Sequence, residues 1–289
     1  MCDNELLANM PRVNRRDFAR MGMMTGAGAM LAGRATSAAA QSELTPLTEV
    51  EFDAPGGRMD GIMVSPAEGK HPGIIMWPDI AGIRDAKVSM ARLLAQAGYS
   101  VLLANPYYRS VKGSQFVDFE DFREDGGFQK VGPWMQQNTP AAIAETVQAV
   151  VEYMDRQESV DTSRGIGTQG YCMTGSWTIR GAAAVPERIK ACASFHGGGL
   201  VGDAPDSPVN LLDDIAPDCK VLIAIARNDD ANAPDDKVAL RAAADAAGID
   251  ARIEVFAGDH GWTVLDSPVY DYDEEERATN MMLDMYETL

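Results

Sequence analysis

From about Thr48 onward, short β-rich runs, the middle ones almost wholly apolar, alternate with longer segments of helical period. A strand that is apolar at every position must be covered on both faces, and a parallel sheet between two helical layers provides that cover. Such runs fall at 48–52, 61–64, 73–77, 100–104, 165–171, 191–195, 221–226 and 252–256. Between them, Met90, Leu93, Leu94 and Ala97 mark one helical stripe, stopped by Gly98. Thr139-Pro140 reads as a cap followed by a first-turn proline, and Ile143, Val147, Val150 and Met154 share a face behind it. Residues 236–247 and 274–289 supply two more helical periods. Two opening strands followed by β-α alternation predict an α/β fold in one domain over residues 41–289. Its core is a mostly parallel, doubly wound sheet of about eight strands flanked by helices.

Residues 1–40 follow other rules. Asn14-Arg15-Arg16-Asp17-Phe18-Ala19-Arg20 precedes a short run rich in Gly, Ala and Met, and Ala38-Ala39-Ala40 follows. A basic segment, a short apolar stretch and a small-residue cleavage site read as a secretory signal. The arginine pair before Asp-Phe resembles the twin-arginine type, whose export machinery moves folded proteins. The expectation is therefore an exported, periplasmic protein.

Formal net charge is −18, and residues 1–40 hold five arginines against three acidic residues, so the remainder is more acidic still. Nucleic acid is excluded as a partner, because phosphates need clustered Lys and Arg. No His, Cys and Asp set has metal-ligand spacing, and Gly26-Ala27-Gly28 lies within the signal rather than after a strand. Neither metal nor organic cofactor is expected. Segment 110–138 departs from the alternation: it is long, contains Gly126-Gly127, and carries Phe116, Phe119, Phe122, Phe128 and Trp134. It reads as a long ordered loop, either a lid over a pocket or a segment anchored by its aromatics.

Chemistry concentrates after three strands. Gly170-Tyr171-Cys172-Met173-Thr174-Gly175-Ser176 ends an apolar run and opens a helix, the context of a nucleophile elbow. A sharp strand-to-helix turn lifts the side chain of Cys172 above the sheet, and the helix N-terminus favours negative charge there. Arg227-Asn228-Asp229-Asp230 follows a later strand, and Gly258-Asp259-His260-Gly261-Trp262 follows the last. Nucleophile, acid and histidine then stand in the chain order of α/β-hydrolases. Of three histidines, His71 precedes a strand and His196 precedes the acid, which leaves His260 as the base. Asp229 fits by distance from its strand and Asp230 by spacing to Pro234. Four cysteines include Cys2 in the signal; Cys192 and Cys219 are expected as two buried free thiols.

Gly-Tyr-Cys at 172 and His-Gly-Trp at 260 resemble the dienelactone hydrolases, and the likeness runs from about residue 48 to the end. The resemblance implies an α/β-hydrolase fold and a Cys-His-Asp triad of Cys172, His260 and Asp229 or Asp230. It also implies a thioester intermediate and an ester or lactone substrate. Trp77-Pro78-Asp79-Ile80 sits where the family has an acidic residue and an oxyanion-hole amide. That implies the amides of Ile80 and Met173 as the hole and Asp79 beside the thiol. Pro106-Tyr107-Tyr108-Arg109 is similar to the stretch whose arginine holds a substrate carboxylate, which implies Arg109 as the partner of an anionic substrate group, with Trp262 expected to add apolar contact. The chain departs from the pattern in three places. Thr174 and Ser176 replace glycines and should crowd the elbow. Asp79 is shorter than the family's glutamate. Val264 stands where a second carboxylate-binding arginine would be.

Overall fold

In a computed structural model, described here over residues 43–289, eight strands form one sheet in the order β1-β2-β4-β3-β5-β6-β7-β8. They are β1 (Thr48–Ala54), β2 (Gly57–Val64), β3 (Gly73–Trp77), β4 (Ser100–Ala104), β5 (Ile166–Tyr171), β6 (Ile189–Phe195), β7 (Lys220–Ile225) and β8 (Asp250–Val255). From β4 across to β8 all pairs are parallel, whereas β1–β2 and β2–β4 are antiparallel. The signal segment expected over residues 1–40 lies outside the described residues.

The apolar runs explain the sheet's interior. Every residue of β3, β4 and β5 is buried, as strands covered on both faces must be. The two opening strands are longer than their apolar stretches. Pro55 and Gly56 join them in a two-residue turn, with Gly56 at φ +84°, the proline-then-glycine order of a type II turn. Half of this hairpin is polar and lies at the sheet's edge, so the expected gap at 53–60 is strand instead.

Two apolar layers flank the sheet. On one side α1 (Asp85–Gln96) and the C-terminal α8 (Tyr272–Tyr286) pack Met90, Leu94, Met282 and Tyr286 against it. On the other, α4 (Pro140–Met154), α5 (Gly175–Ala184) and α7 (Asp236–Ala247) contribute Val147, Ile179 and Leu240. The local signals act as their chemistry dictates. Thr139 caps α4 by accepting from the Ala142 amide, and Gly98 takes φ +100° just past α1.

The segment read as a loop holds two short helices, α2 (Phe119–Glu124) and α3 (Gly127–Met135), with Asp118 capping the first. Phe116 and Phe122 are buried in a satellite cluster with Ala81, Tyr107 and Val131, while Phe128 is exposed. The segment is too short in apolar period for the helices to show in sequence, and Phe122 of α2 and Trp134 of α3 pack into or against one satellite cluster. Ile80, Trp134 and Met173 pack at the edge of that cluster, so the segment covers one flank of the elbow.

Candidate active site

Parallel strands β3, β5, β6, β7 and β8 all end at one edge of the sheet, and the loops leaving them converge there. Ligands of open α/β sheets bind at such carboxyl ends. Cys172 leaves β5 at φ +54°, in the left-handed region that a side chain other than glycine or asparagine seldom adopts. Residues Cys172–Thr174 form one 3-10 turn before α5 begins. Glycine is forced beside it: a Cβ on Gly170 would lie 2.2 Å from the Thr174 carbonyl oxygen.

Thr174 does not crowd the turn, as the glycine-to-threonine departure suggested; it ties it. Its hydroxyl accepts from the Tyr171 amide and donates toward the carbonyls of Trp77 and Pro78, at 3.1 and 2.9 Å. The elbow is thereby fastened to the loop that carries Ile80. Tyr107 adds a second fastening from the satellite cluster. Its hydroxyl donates to the Ile80 carbonyl at 2.8 Å and lies 3.5 Å from the Met173 sulfur. The two segments expected to supply oxyanion amides are thus held side by side.

His260 stands on the loop after β8. Its Nδ1 lies 2.7 Å from Asp229 Oδ2, and Cys172 lies close enough to act on its titration. Asp229 belongs to a short helix, α6 (Arg227–Asn232), where an open loop was expected. Asp230, one residue on, turns away and pairs with Lys237 at 2.5 Å. Of the two candidates the geometry therefore places Asp229 at the histidine. The Asn228 side chain accepts from the His260 amide at 2.8 Å, which joins the acid and histidine segments. The bond to Asp229, then the Cys172 side chain, lifts the His260 pKa to about 10 against the opposing effect of burial.

Beside His260 and Asp229 lies a cavity of about 230 Å³, formed by Gly197–Leu200, Ile225, Asn232, Ala233, Asp236 and Leu240. Its lining includes two carboxylates and no lysine or arginine.

Three expected substrate contacts have partners within the protein itself. Asp79 is buried, and its carboxylate is fully engaged: Arg84 donates to both oxygens at 2.8 and 2.9 Å, the Ala81 amide to one, and Lys87 lies 3.1 Å away. Burial alone would raise the Asp79 pKa, but Lys87 and Arg84 outweigh it and hold the carboxyl well below its usual range. Trp262 is wholly buried, stacked on Phe256 and edge-on to His196, so it walls the site from behind. Arg109 lies over the Tyr108 ring and donates to the Ala142 carbonyl, with the Gly56 turn against its side chain. Its partners belong to the sheet's antiparallel margin and to α4, not to the elbow.

Among the described residues no group of three or more His, Cys, Asp or Glu is placed to hold a metal ion. Cys192 and Cys219 are buried free thiols, and the neighbouring Cys219 thiol, with burial, pushes the Cys192 thiol up.

Residues 59–289 match the sequence model of the dienelactone hydrolase family. A protein of Methylorubrum extorquens, provisionally named a carboxymethylenebutenolidase, is 27% identical over 172 residues. That match covers 58% of this chain and 55% of the relative, so it spans about half the relative's length. A crystal structure from Klebsiella pneumoniae, provisionally titled a dienelactone hydrolase, superposes with a TM-score of 0.71 at 22% identity. It covers 86% of this chain and 100% of that one. A dienelactone hydrolase-like promiscuous phosphotriesterase from metagenomic libraries gives a TM-score of 0.66 at 21% identity, covering 85% and 98%.

Proposed function

Because this chain belongs to the dienelactone hydrolase family, we propose that it hydrolyses carboxylic esters or lactones, with Cys172 as nucleophile, His260 as base and Asp229 as the acid behind it. The observation that carries the reading is His260 bonded to Asp229 at 2.7 Å beside an elbow that holds Cys172 at φ +54°.

In the first step His260 Nε2 takes the proton of the Cys172 thiol, the sulfur attacks the ester carbonyl carbon, and the carbonyl oxygen takes up the negative charge beside the amides of Ile80 and Met173. The tetrahedral adduct collapses to a thioester, and the departing alkoxide takes its proton from His260 Nε2. In the second step His260 removes a proton from water, which attacks the thioester carbonyl. Collapse of that adduct releases the acid and restores Cys172. Asp229 holds Nδ1 protonated and steadies the imidazolium.

One observation favours an uncharged ester over an anionic one. The cavity beside His260 carries carboxylates and no lysine or arginine, and Arg109 is engaged with Tyr108 and α4. The general field of an acidic protein also repels anions. The test is hydrolysis of matched neutral and monoanionic aryl esters by wild type, Cys172→Ala and Arg109→Ala. The reading predicts loss of activity only in the cysteine variant and a preference for the neutral ester in the other two. Full activity of Cys172→Ala would overturn it. Export to the periplasm is proposed from the twin-arginine-like segment alone, and retention in the cytoplasm of an Arg15→Lys, Arg16→Lys variant is the expected result.

A further inference from the structure

One imidazole at the elbow has no part in the scheme above. His196 follows β6, is 1% exposed, and takes φ +40°, so two adjoining strand ends carry non-glycine residues in the left-handed region. Its Nδ1 lies 3.1 Å from the Cys172 amide nitrogen, and its Nε2 lies 3.1 Å from Thr263 Oγ1. Since the Cys172 N–H donates to Nδ1, that nitrogen carries the lone pair and the proton sits on Nε2, donating to Thr263. The ring meets His260 edge-on with centroids 4.8 Å apart. A single side chain therefore links the backbone of Cys172 to the loop that carries His260.

The same segment grips Cys172 from its other side, where the Gly198 amide donates to the Cys172 carbonyl at 3.1 Å. There is no slack between the two turns: a Cβ on Gly175 would lie 2.4 Å from Gly197 Cα. Strained backbone persists only where its surroundings over-determine it, and a buried N–H needs an acceptor. Burial, then the charge of His260, then that of Lys87 keep His196 neutral by holding its pKa well below the ordinary value. A proton on Nδ1 would set donor against donor at the Cys172 amide.

We propose that His196 is a positioning residue, which holds the Cys172 backbone in its left-handed conformation and fixes the spacing of Cys172 and His260 without exchanging protons. The proposal rests on Cys172 being the nucleophile.

Two near-isosteres separate its two bonds. In His196→Asn the side-chain oxygen can stand in for Nδ1, whereas in His196→Gln the amide reaches toward Thr263 and leaves the Cys172 N–H without its acceptor. Both variants are assayed for kcat and KM on a neutral aryl ester, for melting temperature, and for the pH profile of Cys172 alkylation by iodoacetamide. A misplacement of the reacting groups by an ångström costs about 100-fold. His196→Gln is expected to lose kcat on that scale, with KM little changed and a displaced alkylation profile. His196→Asn should recover most of the kcat at a similar melting temperature. Equal losses of kcat that follow the melting temperatures, full activity in both, or activity kept by glutamine and lost with asparagine would each overturn the proposal. Failure of the nucleophile reading is seen separately, as hydrolysis retained by Cys172→Ala.

Discussion

Two carboxylate–cation pairs of nearly equal bond length stand at the same edge of this sheet, Arg84–Asp79 at 2.8 Å and His260–Asp229 at 2.7 Å. The side chains of the first are 0% and 4% exposed, those of the second 34% each. Burial separates their roles. Arg84 cannot release its proton, and it spends its donors on Asp79, on both oxygens of Asp266 and on the Gly82 carbonyl. Asp266 in turn accepts from the Phe119 amide at the start of α2. The buried cluster thus pins three segments together: the loop after β3, the far end of the histidine loop and the covering helices. The half-open pair holds one side chain whose charge changes and leaves it at the mouth of a cavity. A fixed ionic cluster frames the candidate site, and a titratable pair stands in it.

The comparison breaks first at the histidine. Removing a general base commonly lowers rate by about 10²–10⁴-fold, and His260→Ala should lose kcat on that scale in the folded protein. If His260→Ala retains wild-type kcat, the two pairs do not differ in kind.

Arg84→Met should show the reverse. Breaking a buried ionic cluster from one side costs about 3–5 kcal/mol, here because Asp79 and Asp266 lose their shared partner. Urea unfolding should report that loss, while kcat of the folded fraction falls far less than in His260→Ala. A variant of wild-type stability would show that the cluster does not frame the site.

The third prediction concerns pH. The His260 pKa is raised from 6.5 to about 10 in the folded protein. The sign follows: its stabilising effect is complete below 6.5 and is lost as pH rises through about 10. Ester hydrolysis should fall over the same alkaline window, because the departing alkoxide needs the imidazolium proton. Asp229→Asn removes the largest cause of the shift and should move the fall to lower pH. An unchanged alkaline limb in that variant would separate Asp229 from His260.

The smallest effect is expected next door. Asp230→Asn breaks only a partly exposed pair with Lys237, and such pairs contribute about 0–1 kcal/mol. Its kcat should stay within a few-fold of wild type, and a loss rivalling that of Asp229→Asn would reverse the assignment of the two aspartates.

Much of this was legible in the sequence for a physical reason. Wholly apolar strands, the Gly98 stop and the Thr139-Pro140 start act through local chemistry, so their positions follow from residue type. The elbow at Cys172 could be read because the turn needs glycine at a fixed offset, and His260 was singled out by its place after the last strand and behind the acid in chain order. What escaped was set by long-range partners. Nothing near Asp79 in the chain announces that Arg84 and Lys87 will claim both of its oxygens, or that Asp266 will share Arg84. Arg109 followed its motif to the right edge of the sheet, yet its direction depends on Tyr108 and Ala142. His196 was set aside by chain order, which ranks candidates for base and says nothing of a neutral ring that accepts from a backbone amide. The helices of segment 110–138 are too short in apolar period to show, and their aromatics pack into or against one satellite cluster.

The central claim is that the working pair serves a thioester on Cys172. Its most direct test mixes the protein with a short aryl ester, quenches in acid during turnover, and locates the acyl group by peptide mass spectrometry. The account predicts a burst of phenol equal to the protein present and an acyl group on the Cys172 peptide alone. Cys192 and Cys219 should stay unmodified, and the signal should vanish in Cys172→Ala. Steady turnover with no acyl group on Cys172, or an acyl group carried by another residue, would contradict it.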